Sequence, residues 1–177
     1  MILAFALLPV FLVFASSDGF YYHFYRFRLH ARGASRYEHL LHTLNACLFV
    51  PQVYLFFCGR PTGAWLIAAV GTFIATLGVE VLDVLCEGDS RAGLGGLPPR
   101  EYLMHFLMSG LRGGFVAAYV TDGGLAAFTA RTTFAPPAIP YCGWFVLVPA
   151  VAVAAWHVAL WFTGGRRLAD GGRASAA

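Results

Sequence analysis

The carboxylate and imidazole side chains of this sequence recur at helical spacing. Residues three, four or seven positions apart share one face of an α-helix. The stripes that follow this rule are Glu38 with His42 and Asn45, Glu80 with Asp83 and Glu87, Glu101 with His105 and Arg112, and His23 with His30. Carboxylate and imidazole together form a mixed hard and borderline ligand set that suits iron, manganese or zinc. The pattern therefore indicates metal chemistry carried on helices.

The rest of the sequence is too apolar for a soluble domain. Hydrophobic residues make up 59% of the 177-residue chain and charged residues only 12%, whereas soluble domains carry about 25% charged residues. The net charge of +3 is too small and too scattered for a nucleic-acid-binding surface. The composition excludes both classes and predicts an integral membrane protein in contact with membrane lipids.

Apolar segments of membrane-spanning length alternate with turn-forming residues. A helix needs about 20 apolar residues to cross a hydrocarbon core of roughly 30 Å. We predict an all-α transmembrane helical bundle in a single domain, residues 1–163, in which four core helices carry the polar cluster and a fifth helix follows. The predicted helices cover about residues 2–29, 35–58, 62–87, 100–120 and 141–163, with a disordered cytoplasmic tail at 164–177.

The arginines predict the orientation, because basic loops stay on the cytoplasmic side of a membrane. All twelve basic residues are arginines. One set of helix ends carries Arg26, Arg28, Arg32, Arg36, Arg91, Arg100, Arg166, Arg167 and Arg173, and the opposite set carries Arg60 and Arg131. We therefore predict that the N-terminus lies outside and the C-terminus lies in the cytoplasm, in the cytoplasmic membrane of a bacterium.

Polar side chains from four predicted helices lie at one depth. Counted from the arginine-rich helix ends, this depth is roughly five to seven residues, or about 8–10 Å at the helical rise. It contains His23, His42, Asp83 and His105. Charged groups in hydrocarbon are costly unless they are paired or bind a metal. The predicted third helix ends in three acids with no arginine, although a helix C-terminus disfavours anions, so a metal is the expected counter-charge.

The segments E38-H-L-L-H42 and E101-Y-L-M-H105 resemble the Glu-x-x-His motifs of the ferritin-like di-iron carboxylate proteins. The spacing here is i+4 instead of i+3, and both spacings leave the two side chains on one helix face. The resemblance covers the arginine-rich halves of four helices. It implies two metal ions, with iron expected and zinc or manganese as alternatives. The histidine-box membrane desaturases are a poorer match, since the chain has six histidines and no H-x-x-H-H box.

We predict a membrane di-metal oxygenase, hydroxylase or desaturase that acts on a lipid-soluble substrate near the cytoplasmic face. Electrons would come from a separate donor protein, because the sequence has no flavin or haem motif. The predicted metal ligands are His23, Glu38, His42, Glu80, Asp83, Glu87, Glu101 and His105. The side chains predicted to orient these ligands are Asp18, His30, His39 and Arg112. Tyr22 and Tyr25 share the helix face of Asp18 and are candidates to line the reaction site.

Other functions fit the same residues. In a structural or assembly subunit, buried charges such as Arg112 and Glu80 would only pair helices, and G110-L-R-G-G114 would pack against a partner helix. A zinc-dependent lipid hydrolase would use three histidines, an Asp and Ser109. A haem protein would use two of His39, His42, His105 and His157.

Two of the predicted ligands also have simpler roles. Glu38 lies three residues after Ser35, as in a capping box. Glu101 lies in the first turn after Pro99, where an acid complements the helix dipole.

Overall fold

The computed structural model describes residues 1–174, and side chains as far as Gly164. Its elements are α1 (Ile2–Ser16), a π-helical continuation (Ser17–Arg26), a 3-10 turn (Leu29–Ala31), α2 (Arg36–Phe57), β1 (Arg60–Pro61), α3 (Ala64–Arg91), a second 3-10 turn (Ala92–Leu94), α4 (Pro99–Gly123), α5 (Ala126–Thr129), β2 (Phe134–Ala135) and α6 (Cys142–Ala174). Within the described residues, five helical segments are long and apolar enough to cross a membrane. The prediction of an all-helical protein with five candidate membrane spans is confirmed.

Two helix ends differ from the prediction. Helix α3 continues past Glu87 to Arg91, which adds one turn at its end. Helix α6 continues to Ala174, past the predicted end at residue 163. The predicted disordered tail begins at residue 164, and its last residues, 175–177, lie outside the described residues.

The helices pack in two main groups. Helix α2 contacts α3 and α6, and α1 packs along α4. An apolar core joins the groups in the half of the bundle that contains Met1. Edge-to-face aromatic contacts build this core: Phe5 and Phe11 of α1 meet Phe57 and Phe115, and Phe57 meets Phe115 at a centroid distance of 5.3 Å. Such contacts fix helix positions more closely than aliphatic packing alone, because the ring edges and faces attract each other.

The loops alternate between the two ends of the bundle. At one end the amino group of Met1 lies 3.0 Å from the Asp122 carboxylate, and β1 pairs antiparallel with β2. At the other end, Gly164 of α6 approaches the carbonyl of His30. The loops at 27–35 and 92–98 also lie there. We call this the arginine-rich end, and the polar residues described below lie beneath it.

Candidate metal centre

Four helical segments bring eight carboxylate and imidazole side chains together: α2, α3, α4 and the π-helical continuation of α1. Three overlapping groups have donor atoms within 4.8 Å of one another: Asp18, His23, Glu101 and His105; His23, Glu38 and His42; Asp83, Glu87 and His105. We call these eight residues the donor cluster. It contains every predicted ligand except Glu80, and it adds Asp18. His23 and His105 each belong to two of the groups, so the groups adjoin instead of forming separate sites.

Three imidazole rings form the centre of the donor cluster. The ring centroids lie 4.0 Å apart for His23 and His42, 5.8 Å for His23 and His105, and 6.3 Å for His42 and His105. The Nε2 atoms of all three rings are buried and have no hydrogen-bond partner among the described residues. A buried polar atom without a partner costs about 1–3 kcal/mol. Three such nitrogens facing one space are the arrangement expected of metal ligands.

Five nitrogen–oxygen separations in the donor cluster exceed the usual hydrogen-bond length, and most of them are compatible with two ligands of one metal ion. They are 3.3 Å from His23 Nε2 to Asp18 Oδ2 and to Glu101 Oε1, 3.5 Å from His42 Nε2 to Asp83 Oδ2, 3.8 Å from His42 Nε2 to Glu38 Oε1, and 3.3 Å from His105 Nε2 to Asp18 Oδ2. Hydrogen bonds from N–H to oxygen measure about 2.7–3.2 Å. Metal bonds of about 2.1 Å place neighbouring ligand atoms about 3.0 Å apart in an octahedron and about 3.4 Å apart in a tetrahedron.

Unpartnered carboxylate oxygens complete the donor cluster. Asp18 Oδ1, Asp83 Oδ1, Glu87 Oε1 and Glu101 Oε2 are buried without a hydrogen-bond donor in the described part of the chain. Glu87 Oε1 lies 3.0 Å from His105 Nδ1. Several anionic oxygens without protein donors favour a bound cation, because buried charges are otherwise paired.

A π-helical segment brings Asp18 and His23 to the same face. In an α-helix, residues five positions apart lie about 140° apart around the axis. In a π-helix the hydrogen bonds join residues five apart, which brings the two side chains much closer to one face than an α-helix does. Residues Ser17–Arg26 adopt this geometry. An α-helix over these residues predicts only an orienting role for Asp18, whereas the structure includes Asp18 among the donor atoms.

Arg91 is a functional residue that the sequence analysis missed. Its side chain is completely buried, and its Nη2 donates hydrogen bonds of 2.7 Å to both Glu38 Oε1 and Glu101 Oε1. Ser90 also donates to Glu38. The inference that helix three has no arginine is wrong, because α3 extends one turn beyond the predicted end. The i+4 spacing from Glu87 to Arg91 is the sequence signal that could have placed this arginine on the polar face.

Arg91 also changes the interpretation of Glu38. The capping box predicted from Ser35 and Glu38 does not form, because Glu38 bonds to Arg91 and Ser90 and no side chain caps α2. Glu38 and Glu101 therefore hold helices α2 and α4 to the end of α3. Each carboxylate keeps an oxygen in one of the donor groups.

The Arg112 side chain forms a second, deeper polar contact. Arg112 Nη1 donates hydrogen bonds of 2.7 Å to Glu80 Oε1 and 2.8 Å to Asn45 Oδ1, and Ser109 donates one of 2.8 Å to Glu80 Oε2. Glu80, a predicted ligand, is thus paired with Arg112 and lies outside the three donor groups. The ion pair that the structural alternative expects is present here. Ser109, the candidate nucleophile of the hydrolase alternative, is bonded to Glu80.

The remaining predicted residues lie around the donor cluster. His39 stacks on His157 at a centroid distance of 5.5 Å, and His30 lies 6.2 Å from His39. These imidazoles belong to none of the three donor groups. Tyr22 packs against Phe27, and Tyr25 is 71% exposed. Neither tyrosine lines the cavity described next.

The donor cluster forms one wall of a cavity of about 510 Å³. His23, His42, Asp83 and His105 face this cavity, and so do apolar side chains of α1 and α6. No residue of the fifth helix was among the predicted metal ligands. The arrangement places an apolar chamber beside a set of metal-ligating atoms, a combination that suits a hydrophobic ligand.

The comparisons with known proteins do not assign this chain to a family. No family model matches the chain, and no curated protein and no solved structure is found to be similar to it. We therefore infer the function from the residues themselves.

Proposed function

We propose that this protein is an integral membrane di-metal enzyme, with iron as the metal, that oxidises a lipid-soluble substrate bound in the cavity. One observation supports the proposal above all others. Buried imidazole nitrogens and carboxylate oxygens from four helices converge without hydrogen-bond partners in the described structure, and they converge beside an apolar chamber. An oxygenase, hydroxylase or desaturase needs this combination of ligand set and substrate space.

The ligand set supports two ions instead of one. A structural zinc site uses four ligands, whereas the donor cluster offers eight residues in three adjoining groups. Histidine with several carboxylates suits iron, manganese or zinc. When bound, a di-iron pair supplies the activation of dioxygen. The chain holds the ligand atoms, Arg91 fixes Glu38 and Glu101, and the apolar walls of α1 and α6 limit water near the reacting carbon. Electrons come from a separate donor protein.

The metal content of the purified protein tests this proposal. We expect about two transition-metal ions per chain after gentle purification or after loading with Fe(II), as in other di-iron carboxylate bundles. Elemental analysis gives the stoichiometry and identifies iron, zinc or manganese. Electron paramagnetic resonance of the oxidised protein separates a coupled ferric pair, which is silent, from isolated ferric ions, which are not. A protein that remains metal-free in the presence of all three ions contradicts the enzyme proposal.

A non-catalytic subunit is the second candidate, and specific contacts favour it. Arg91 pairs with Glu38 and Glu101, and Arg112 pairs with Glu80, as expected if buried charges only join helices. These pairs leave the carboxylates of Asp18, Asp83 and Glu87 without an arginine partner among the described residues, and they leave the Nε2 atoms of the three central histidines without a hydrogen bond. The metal measurement separates the two candidates, because the subunit requires no metal.

We also propose that the arginine-rich end faces the cytoplasm, so that the N-terminus is outside and the C-terminus is inside. The support is the excess of arginine at that end. Reporter fusions after Gly93 and after Arg131 test it. We expect the Gly93 fusion to be active only with a cytoplasmic reporter and the Arg131 fusion only with a periplasmic one. The reverse pattern would overturn the orientation and leave the metal proposal unaffected.

A further inference from the structure

The cavity has an opening between α1, with its π-helical continuation, and α6. Most side chains that both line the cavity and are exposed mark this rim: Ser16, Phe20 and Phe24 on one side, and Pro149, Ala152, Val153 and Trp156 on the other. Val84 of α3 also lines the cavity and is exposed. Ser16, Phe20 and Phe24 are four positions apart, and Ala152 and Val153 lie three or four positions from Pro149 and Trp156. Each set therefore lies along one edge of its helix. Phe20 is 60% exposed and Val153 is 36% exposed. The rim is therefore a slit that runs parallel to the two helices.

The slit exists because α1 and α6 do not pack along each other. In the described ranges, α6 packs on α2 and on the turn Leu29–Ala31, and α1 packs on α4. Near the arginine-rich end, Phe24 and Trp156 meet edge to face at a centroid distance of 5.9 Å. This contact closes the slit on the side of the loops. Below it, the exposed rim residues lie within two candidate membrane spans.

The two walls of the cavity differ in chemistry. The rim is apolar except for Ser16, and the opposite wall carries His23, His42, Asp83 and His105. A hydrocarbon chain that moves from the membrane through an apolar slit loses no hydration. Every exposed residue of the cavity lining lies within a candidate membrane span, so these openings face the apolar layer. The geometry thus favours one direction of approach and one class of ligand.

We propose that the slit between α1 and α6 is the lateral entrance for the hydrocarbon chain of a membrane lipid. The chain lies between Phe20 and Val153 and extends inward, so that one of its carbons lies beside the donor cluster. Oxidation of that carbon depends on the function proposed above, whereas binding of the chain does not. The substrate class is therefore a long-chain lipid that the enzyme takes directly from the bilayer.

A photoreactive fatty acid with a diazirine at the end of its chain tests the entrance in phosphatidylcholine nanodiscs. After irradiation, peptide mapping locates the labelled residues. We expect label on the inner cavity residues Leu12, Phe49 and Met108 of the full-length protein. Ala152→Trp fills the slit at an exposed position and should reduce this inner labelling about tenfold. Ala155→Trp is the matched control, because Ala155 is exposed on the same helix but does not line the cavity; its inner labelling should equal that of the wild type.

Val153→Trp provides a second block at the same slit and should reproduce the loss if Ala152→Trp misfolds. Inner labelling that is absent in the wild type, or unchanged in both blocking variants, overturns the lateral entrance. Metal content is measured on the same samples. A metal-free protein with slit-dependent inner labelling contradicts the di-metal function and leaves the entrance standing. A metal-loaded protein without inner labelling contradicts the lateral entrance and leaves the di-metal function standing.

Discussion

Replacement of Asp83 by Asn is expected to remove at least about half of the bound metal, because one of two ions in a carboxylate-bridged pair would lose its anionic ligand. The side chain keeps its shape, but an amide oxygen is a weaker ligand than a carboxylate. Asp83 Oδ1 is buried without a hydrogen-bond partner in the described structure, and Oδ2 lies 3.5 Å from His42. In the metal-free protein, the loss of an uncompensated buried charge should leave the thermal midpoint unchanged or higher.

Glu80→Gln is the matched control for this substitution. Glu80 lies one helical turn from Asp83, but it is bonded to Arg112 and Ser109. Its replacement leaves the Arg112 cation buried without its anion, so the thermal midpoint should fall while the metal content stays at the wild-type level. Elemental analysis and thermal unfolding of both variants measure the two quantities. Unchanged metal in Asp83→Asn, or equal metal loss in both variants, would reject Asp83 as a ligand.

Arg91→Met is expected to be the most destabilising of the substitutions considered, with a loss of about 3–5 kcal/mol of unfolding free energy. The reason is the burial of both of its partners. Arg91, Glu38 and Glu101 are fully buried, so removal of the guanidinium leaves two carboxylates in an apolar region without their shared donor. Denaturant unfolding of the metal-free protein in detergent measures the effect, and the absence of metal keeps ligand binding out of the comparison.

Two further variants show whether the destabilisation by Arg91→Met comes from the loss of charge pairing. Arg100→Met makes the same replacement at an exposed position nine residues later and should change stability by no more than about 0.5 kcal/mol. Adding Glu38→Gln and Glu101→Gln to Arg91→Met removes the uncompensated charges and should recover at least about half of the loss. If the triple variant is no more stable than Arg91→Met, the contribution of Arg91 comes from packing and not from its charge.

The sequence determined the spans and their polar faces, since both depend on local properties. A run of about 20 apolar residues has few alternatives to a membrane helix, and the helical repeat places Glu38 and His42 on one face whatever surrounds them. The arginine positions likewise predicted which helix ends share a side of the bundle. The donor cluster was therefore foreseeable in outline, with Glu101 and His105 on the fourth helix and Asp83 and Glu87 on the third.

Only the tertiary structure decided which of these side chains meet. The π-helical segment turns Asp18 toward His23, and nothing in the residue spacing distinguishes a π-helix from an α-helix. The extra turn of α3 carries Arg91 into the bundle, where it pairs with Glu38 and Glu101. Arg112 pairs with Glu80 and so separates Glu80 from the donor groups. The slit between α1 and α6 arises because each helix packs on a different neighbour. The helical period and the hydrophobic length determine which residues share a helix face. Side-chain packing and backbone hydrogen bonding between distant segments determine which residues that face contacts.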